Sequence, residues 1–113
     1  MLNGFHAILF SRDAEADRAF FRDVLGLRSV DAGGGWSIYE LPPAELAVHP
    51  DESGGDQRFY LMCDDLGALL AELRVKGVRV TKPPSEQSWG LIAAIALPSG
   101  AELALYEPRH PRP

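Results

Sequence analysis

Seven side chains that can bind a metal, a charge or an aromatic group recur at alternate positions in four short segments of this chain. Because successive side chains of a β-strand point to opposite faces, residues two positions apart share a face. One such set comprises His6, Ile8 and Phe10; Glu45, Ala47 and His49; Arg58, Tyr60 and Met62; Glu102, Ala104 and Tyr106. Its histidines, glutamates, arginine and tyrosines offer either metal ligands or the walls of a binding site.

The alternate positions of the same four segments are almost wholly apolar. They are Ala7, Leu9, Leu46, Val48, Phe59, Leu61, Leu103 and Leu105. A strand with one apolar face packs that face against other elements. We therefore expect the apolar set to contact helices and the polar set to face away from them.

Two segments predict helices that would cover the apolar face. Asp13 and Asp65 suit N-cap positions, and Gly26 and Gly77 suit the left-handed position after a helix C-terminus. Apolar residues recur between these signals at spacings of three and four, as in a helix packed on one side. They are Ala16, Ala19, Phe20 and Val24 in the first helix and Leu66, Leu69, Leu70 and Leu73 in the second.

The remaining segments predict β-structure, and the chain repeats one plan twice. Glycines 33–35 predict one turn, and Pro98, Ser99 and Gly100 predict another, while two proline pairs, at 42–43 and 83–84, predict loops. The sequence Ala-Glu-Leu-Ala occurs near the end of both halves, so each half is predicted to be βαβββ. Module one spans about 3–50, the linker 51–57 and module two about 58–108, within a single domain of residues 1–113.

Composition narrows the classes of partner. The 113 residues are 46% hydrophobic, enough for one core, and the net charge of −5 disfavours nucleic acid and anionic membrane surfaces. The single cysteine, Cys63, cannot form an internal disulfide and is expected to be a buried small hydrophobe. With no apolar segment long enough to span a bilayer and no leader pattern, we expect a cytoplasmic protein.

The duplicated module, with H-x-x-L-x-x-x-D from His6 to Asp13, LG, DDL and PSGAELALYEP, resembles the vicinal oxygen chelate superfamily of glyoxalase I, bleomycin resistance proteins and extradiol dioxygenases. The resemblance covers Phe5 to Pro108. It implies an α+β fold in which two βαβββ modules curl mixed sheets around a cavity, usually within a homodimer. It also implies metal ligands on the first and last strands of each module in the metal-dependent members.

At three of the four positions where the resemblance implies a metal ligand, this chain has no side chain that can bind a metal ion. The first-strand position of module one is His6, but its counterpart in module two is Arg58. The last-strand positions fall on Ala47 and Ala104. Alanine has no donor atom and arginine stays cationic, so the usual metal site cannot assemble from these four residues.

Three interpretations of the polar face follow. A displaced metal site would use His6 together with His49 and either Glu45 or Glu102, where His49 and the glutamate lie two residues, about 7 Å, along the strand from the usual position. This requires a register change or a bulge.

In the second and favoured interpretation, the face is a metal-free pocket for a flat or cationic organic molecule. Its walls would be Phe10, Tyr60, Met62 and Tyr106, and its charged anchors Arg58 and Glu102. In the third interpretation, Arg58 pairs with Glu45 or Glu102 and the cavity is filled by its own side chains.

For four other residues the sequence gives weaker indications of a functional role. Trp36 and Trp89 flank turns and could line the cavity mouth or pack on their hairpins. His110 lies in a Pro- and Arg-rich tail that we expect to be exposed, so it is assigned no role. Cys63 belongs to the helix-facing set and lacks a nearby histidine in the sequence, which disfavours a nucleophile.

The sequence thus predicts a small-molecule binding protein without a cofactor, and leaves a bound divalent metal open as the alternative. The alternative is a metal-dependent lyase, isomerase or dioxygenase of the glyoxalase type that uses His6 and displaced glutamate or histidine ligands. A non-catalytic interaction module is the second alternative.

Overall fold

The computed structural model describes residues 7–9, 11–35, 37–44, 52 and 58–111. Its elements are α1 (Ala14–Asp23), β1 (Ser29–Asp31), β2 (Ser37–Tyr39), β3 (Tyr60–Met62), α2 (Leu66–Val75), β4 (Val80–Gln87), β5 (Gly90–Ala96) and β6 (Glu102–Pro108). The protein is therefore α+β. Neither described helix has the length and apolar character needed to cross a membrane.

Both helices begin at the predicted aspartates. The carboxylate of Asp13 accepts a hydrogen bond from the N–H of Ala16 at 3.1 Å, and that of Asp65 accepts one from Ala68 at 3.0 Å. Each bond satisfies a backbone donor that the first helical turn leaves unpaired. The two N-cap predictions are confirmed.

The end of α2 has the predicted left-handed glycine. Gly77 has φ +82°, its N–H donates to the carbonyl of Arg74, and the N–H of Val78 donates to the carbonyl of Leu73, both at 3.0 Å. These two bonds form a Schellman motif, which satisfies the last carbonyls of the helix. Gly26 after α1 likewise has φ +68°.

The second half forms one mixed four-stranded sheet in the order β3-β6-β5-β4. β3 runs parallel to β6, whereas β6 with β5 and β5 with β4 are antiparallel. With α2 between β3 and β4, this half is the predicted βαβββ module, and its sheet is open.

The core lies between α2 and one face of this sheet. Leu66, Leu70 and Leu73 of the helix and Leu103 and Leu105 of β6 are each at most 2% exposed. Burying a side chain of this size stabilises the fold by about 1.5–3 kcal/mol. The predicted helix-facing positions of β6 are therefore confirmed, and Phe59 and Leu61 also pack against this core.

The first half is described only in part. β1 and β2 form an antiparallel pair joined by Gly33, Gly34 and Gly35, all with positive φ, so the predicted turn is confirmed. Ala7, Ile8 and Leu9 belong to no described strand, and Leu9 is 45% exposed instead of packing on a helix as expected. The predicted closing strand of module one, at residues 45–50, lies outside the described residues.

The prediction of a loop at Pro83 and Pro84 is wrong, because both residues lie within β4. β4 is an edge strand, where a residue without an N–H breaks no ladder inside the sheet. Between Lys82 and Ser85 the strand advances three residues while β5 advances two, from Ala94 to Ile92. The two prolines occupy this bulge.

A buried carboxylate joins the first half to the second. Asp17 of α1 is 5% exposed and accepts hydrogen bonds from the hydroxyl of Ser11 at 2.7 Å, the N–H of Ser99 at 3.0 Å and the hydroxyl of Ser99 at 2.7 Å. Ser99 lies in the predicted turn between β5 and β6, where Gly100 has φ +92°. The three bonds fix α1 against that turn.

We expect Asp17→Asn to lower the free energy of unfolding by about 1–3 kcal/mol, because a neutral amide loses the charge-assisted hydrogen bonds that the carboxylate accepts in this buried site. The measurement is the midpoint of urea unfolding. Glu15→Gln is the matched control: Glu15 is also a first-turn acid of α1 but is exposed, so we expect a change within about 0.5 kcal/mol. Equal effects of the two substitutions would contradict the bridging role of Asp17.

Candidate functional site

The sheet face opposite α2 carries the predicted polar and aromatic set. In the register of the sheet, Tyr60 of β3 lies beside Ala104 of β6, which lies beside Ala94 of β5. Two residues further along β6, Tyr106 lies between Met62 of β3 and Ile92 of β5. Neighbours in register point to the same face, so aromatic side chains stand beside a strip of small alanines.

Three aromatic side chains meet on this face, and we call Tyr60, Trp89 and Tyr106 the aromatic cluster. The ring centroids of Tyr60 and Tyr106 are 5.9 Å apart with an interplanar angle of 63°, and those of Trp89 and Tyr106 are 5.2 Å apart at 77°. The hydroxyl of Tyr106 donates to the carbonyl of Trp89 at 3.2 Å. Edge-to-face pairs of this kind contribute about 0.5–1.5 kcal/mol each beyond area burial, and they hold the rings of Tyr60 and Trp89 steeply inclined to that of Tyr106.

Gly90 makes room for the ring of Tyr106. A Cβ atom at this position would lie 2.6 Å from Cε2 of Tyr106 and would also collide with the carbonyl oxygen of Glu107. No side chain larger than hydrogen is therefore accommodated while Tyr106 keeps this position. The glycine at the start of β5 thus determines where the central ring of the aromatic cluster lies.

The charged end of the same face lies about 13 Å from Tyr106, four residues back along β6. There the carboxylate of Glu102 accepts a hydrogen bond from the hydroxyl of Thr81 at 2.6 Å and lies 3.9 Å from the ammonium of Lys82. Arg58 is exposed just before β3 and forms no salt bridge with Glu102. The described partners of Glu102 are therefore on β4.

The described residues at the ligand positions do not fit a metal ion. Ala104 occupies the middle of the face and supplies no donor, and Arg58 carries a positive charge that repels a cation. Within the described ranges, no three histidine, cysteine, aspartate or glutamate side chains are grouped as metal ligands would be. His6, Phe10, Glu45 and His49, with Ala47, lie outside the described residues.

Glu107, the carboxylate next to Tyr106 in sequence, serves the opposite face. Its Oε1 accepts a hydrogen bond from the N–H of Leu66 at 2.8 Å, at the start of α2. A carboxylate at a helix N-terminus both satisfies an unpaired N–H and interacts favourably with the helix dipole. Glu107 therefore anchors α2 to β6 and does not face the aromatic cluster.

Cys63 has the properties of a packing residue. It is partly buried against the core, and its Sγ lies 3.7 Å from the carbonyl oxygen of Tyr106. Burial, reinforced by the charges of Glu107, Asp64 and Asp65, raises the pKa of the Cys63 thiol to about 11. A thiol that stays protonated at neutral pH is a poor nucleophile, in agreement with the sequence interpretation.

The structure places beside Tyr106 two residues, Trp89 and His110, whose roles were open or unassigned in the sequence analysis. Trp89 packs on Tyr106 and is 36% exposed, so it both supports the hairpin and borders the face. The ring of His110 lies 5.8 Å from that of Tyr106, and His110 is half-buried, so the expectation of an exposed residue is wrong for it. The spacing of four from Tyr106 gave no signal for this contact, because four residues of a strand span about 13 Å.

Two open surface depressions lie elsewhere. One, of about 430 Å³, is lined by Arg12, Ser99, Gly100 and Ala101. The other, of about 350 Å³, is lined by Glu15, Arg18, Ala19, Arg22, Gly35, Ser37 and Tyr39. Neither includes a residue of the aromatic cluster.

The geometry defines an α+β protein with a βαβββ module, an open mixed sheet and an aromatic face. Residues 5–105 match the model of the Glyoxalase/Bleomycin resistance protein/Dioxygenase superfamily. The chain belongs to this superfamily, which confirms the resemblance seen in its sequence. No protein with a curated function matches the chain significantly.

Solved structures with the same fold include proteins of different activities. TnmS3, an antibiotic binding protein from Streptomyces sp. CB03234, is 24% identical with a TM-score of 0.65, over 96% of this chain and 99% of that one. A lactoylglutathione lyase from Agrobacterium tumefaciens is 18% identical with a TM-score of 0.63, over 88% of each chain. A superfamily member from Sphaerobacter thermophilus DSM 20745 is 23% identical with a TM-score of 0.57, over 88% and 91%. At these identities the likeness concerns the fold.

We expect alkylation of Cys63 by iodoacetamide at pH 8 to be about 10-fold slower in the folded protein than for a thiol of pKa 9, because its smaller thiolate fraction is only partly offset by the greater nucleophilicity of a more basic thiolate. The rate should rise with pH until about pH 11 in the folded protein. In concentrated urea the inflection should move down towards 9. Cys63→Ser controls for reaction at other groups, and a folded-state inflection near 9 would contradict the burial effect.

Proposed function

We propose that this protein binds a small, flat organic molecule at the aromatic cluster and does not require a metal ion to do so. The observation that carries the proposal is the convergence of Tyr60, Trp89 and Tyr106 beside the small side chains of Ala94 and Ala104. Aromatic walls with a few polar groups nearby are typical of small-molecule sites. Of the two alanines, Ala94 is buried and Ala104 is partly exposed, so the accessible part of this face lies along β3 and β6.

The negative net charge of the protein favours a neutral or cationic ligand. The net charge of the chain is −5, and the faces of tyrosine and tryptophan rings attract cations. The similarity in fold to TnmS3, described as an antibiotic binding protein, agrees with a binding function on this scaffold. Arg58 and Glu102, with Met62 beside Tyr106, remain the predicted flanking contacts of the ligand.

The other expectations from the sequence stay predictions. They are the homodimer, the cytoplasmic location, and the contributions of His6, Phe10, Glu45 and His49 to the site. Exposed apolar side chains in the first half would be covered in a dimer, which supports that expectation. They are Ile8, Leu9, Val30 and Ile38.

Two probes of the same tricyclic shape test the proposal: proflavine, a cation, and anthracene-9-carboxylate, an anion. We expect proflavine to bind more tightly, and Tyr106→Leu to weaken its binding about tenfold, because the substitution removes the central ring with its cation–π and edge contacts. The measurement is a fluorescence titration. Tyr39→Leu, in the β1–β2 sheet, is the matched control and should bind as the unaltered protein does.

Circular dichroism and thermal unfolding must first show that each variant is folded. Unchanged proflavine binding by folded Tyr106→Leu would contradict the location of the site. Failure of both probes to bind the unaltered protein would count against the binding function for this ligand class.

A metal-dependent enzyme of the glyoxalase type would instead need His6 and His49, together with a glutamate such as Glu102. Because Glu102 already bonds to Thr81 and lies beside the Lys82 ammonium, we expect protein purified without chelator to contain far less than one equivalent of nickel, zinc, manganese or iron. Elemental analysis measures this. Stoichiometric metal that is lost in His6→Ala would contradict the metal-free proposal.

A further inference from the structure

The chain's own C-terminal segment lies against the aromatic cluster. The ring of His110 is 5.8 Å from that of Tyr106 at an interplanar angle of 38°, whereas Tyr60 and Trp89 meet Tyr106 at 63° and 77°. His110 is thus the ring that is closest to parallel with Tyr106 among these three. At 38° the imidazole is tilted towards Tyr106 rather than stacked on it, and a flat ligand that contacts this side of the ring would compete with it for the same space.

Arg109 attaches this segment to the β4–β5 hairpin. Its N–H donates to the carbonyl of Trp89 at 2.9 Å, and its guanidinium Nη1 donates to Oε1 of Glu86 at 2.6 Å. Its Nε also lies 3.9 Å from Oε2 of Glu107. The segment is therefore anchored one residue before the imidazole that contacts Tyr106.

The ion pair that anchors Arg109 can break at little energetic cost. The side chains of Arg109 and Glu86 are 47% and 72% exposed, and exposed ion pairs contribute little to stability. The imidazole itself is oriented by a local contact, since Nδ1 of His110 lies 2.8 Å from the carbonyl oxygen of Pro111 and must be the protonated nitrogen that donates there.

We propose that His110 is an internal occupant of the ligand site, and that the ligand is a flat nitrogen heteroaromatic molecule that displaces the imidazole from Tyr106. The inference rests on the proposed binding function and adds the ligand class and its competition with the segment Arg109–Pro111. A cationic or neutral heteroaromatic ring matches the imidazole in shape and in attraction to the tyrosine face. The segment closes the site when the ligand is absent and opens when it binds.

The first test compares proflavine affinity in three proteins. His110→Ala should bind about fivefold more tightly than the unaltered protein, the gain expected when a closed state holding about four-fifths of the molecules is removed. His110→Phe keeps a flat occupant and should show little of this gain. Arg74→Ala, an exposed arginine in the last turn of α2, is the control and should leave the affinity unchanged.

The second test needs no ligand to give a result. In proton NMR spectra, assigned by comparison with His110→Ala, the ring protons of His110 should be shifted upfield by the Tyr106 ring current. Tyr106→Leu should return them to solvent-exposed positions, and proflavine should do the same to the unaltered protein. Circular dichroism verifies that each variant is folded.

The outcomes separate the inference from the proposed function. Proflavine binding that is unchanged or weaker in His110→Ala would overturn the competition while leaving the binding function intact. Ring protons of His110 without an upfield shift in the free protein would overturn the closed state. An upfield shift without binding of proflavine would overturn the displacement by this ligand class and, with failure of anthracene-9-carboxylate, the proposed function itself.

Discussion

The packing of α2 against one face of the mixed sheet is the constraint on which the remaining structure depends. The core consists mainly of leucines from α2 and β6: Leu66, Leu70, Leu73, Leu103 and Leu105. Truncating one such side chain to alanine typically lowers the free energy of unfolding by about 2–5 kcal/mol. Since side chains alternate along a strand, burying these two leucines of β6 directs their neighbours to the other face. The polar and aromatic face is therefore a consequence of the core.

That second face combines small side chains with large rings. Ala94 and Ala104 are paired neighbours with small side chains at the centre of this face. Gly90 lets the ring of Tyr106 extend towards the carbonyl of Trp89. Solved structures with this fold include an antibiotic binding protein and a lactoylglutathione lyase, so the fold alone does not specify a function. The side chain of Ala104 supplies no donor atom for a metal ion.

The polar contacts differ in what they can contribute. Asp17 is buried and accepts three hydrogen bonds, so its loss leaves donors without a partner in the interior. The salt bridge between Arg109 and Glu86 is exposed and can open at little cost. One contact is suited to holding α1 against the turn before β6, and the other to holding a segment that we propose to move when a ligand binds.

The sequence by itself determined the two helices with their caps, the βαβββ order of the second half and the faces of β6, because each follows from signals within a few residues. Tertiary structure decided the contacts between distant positions: Ser99 meets Asp17 across 82 residues, and Tyr106 reaches Trp89 across 17. It also placed His110 on Tyr106. Such meetings depend on strand order and register, which no short window of sequence specifies.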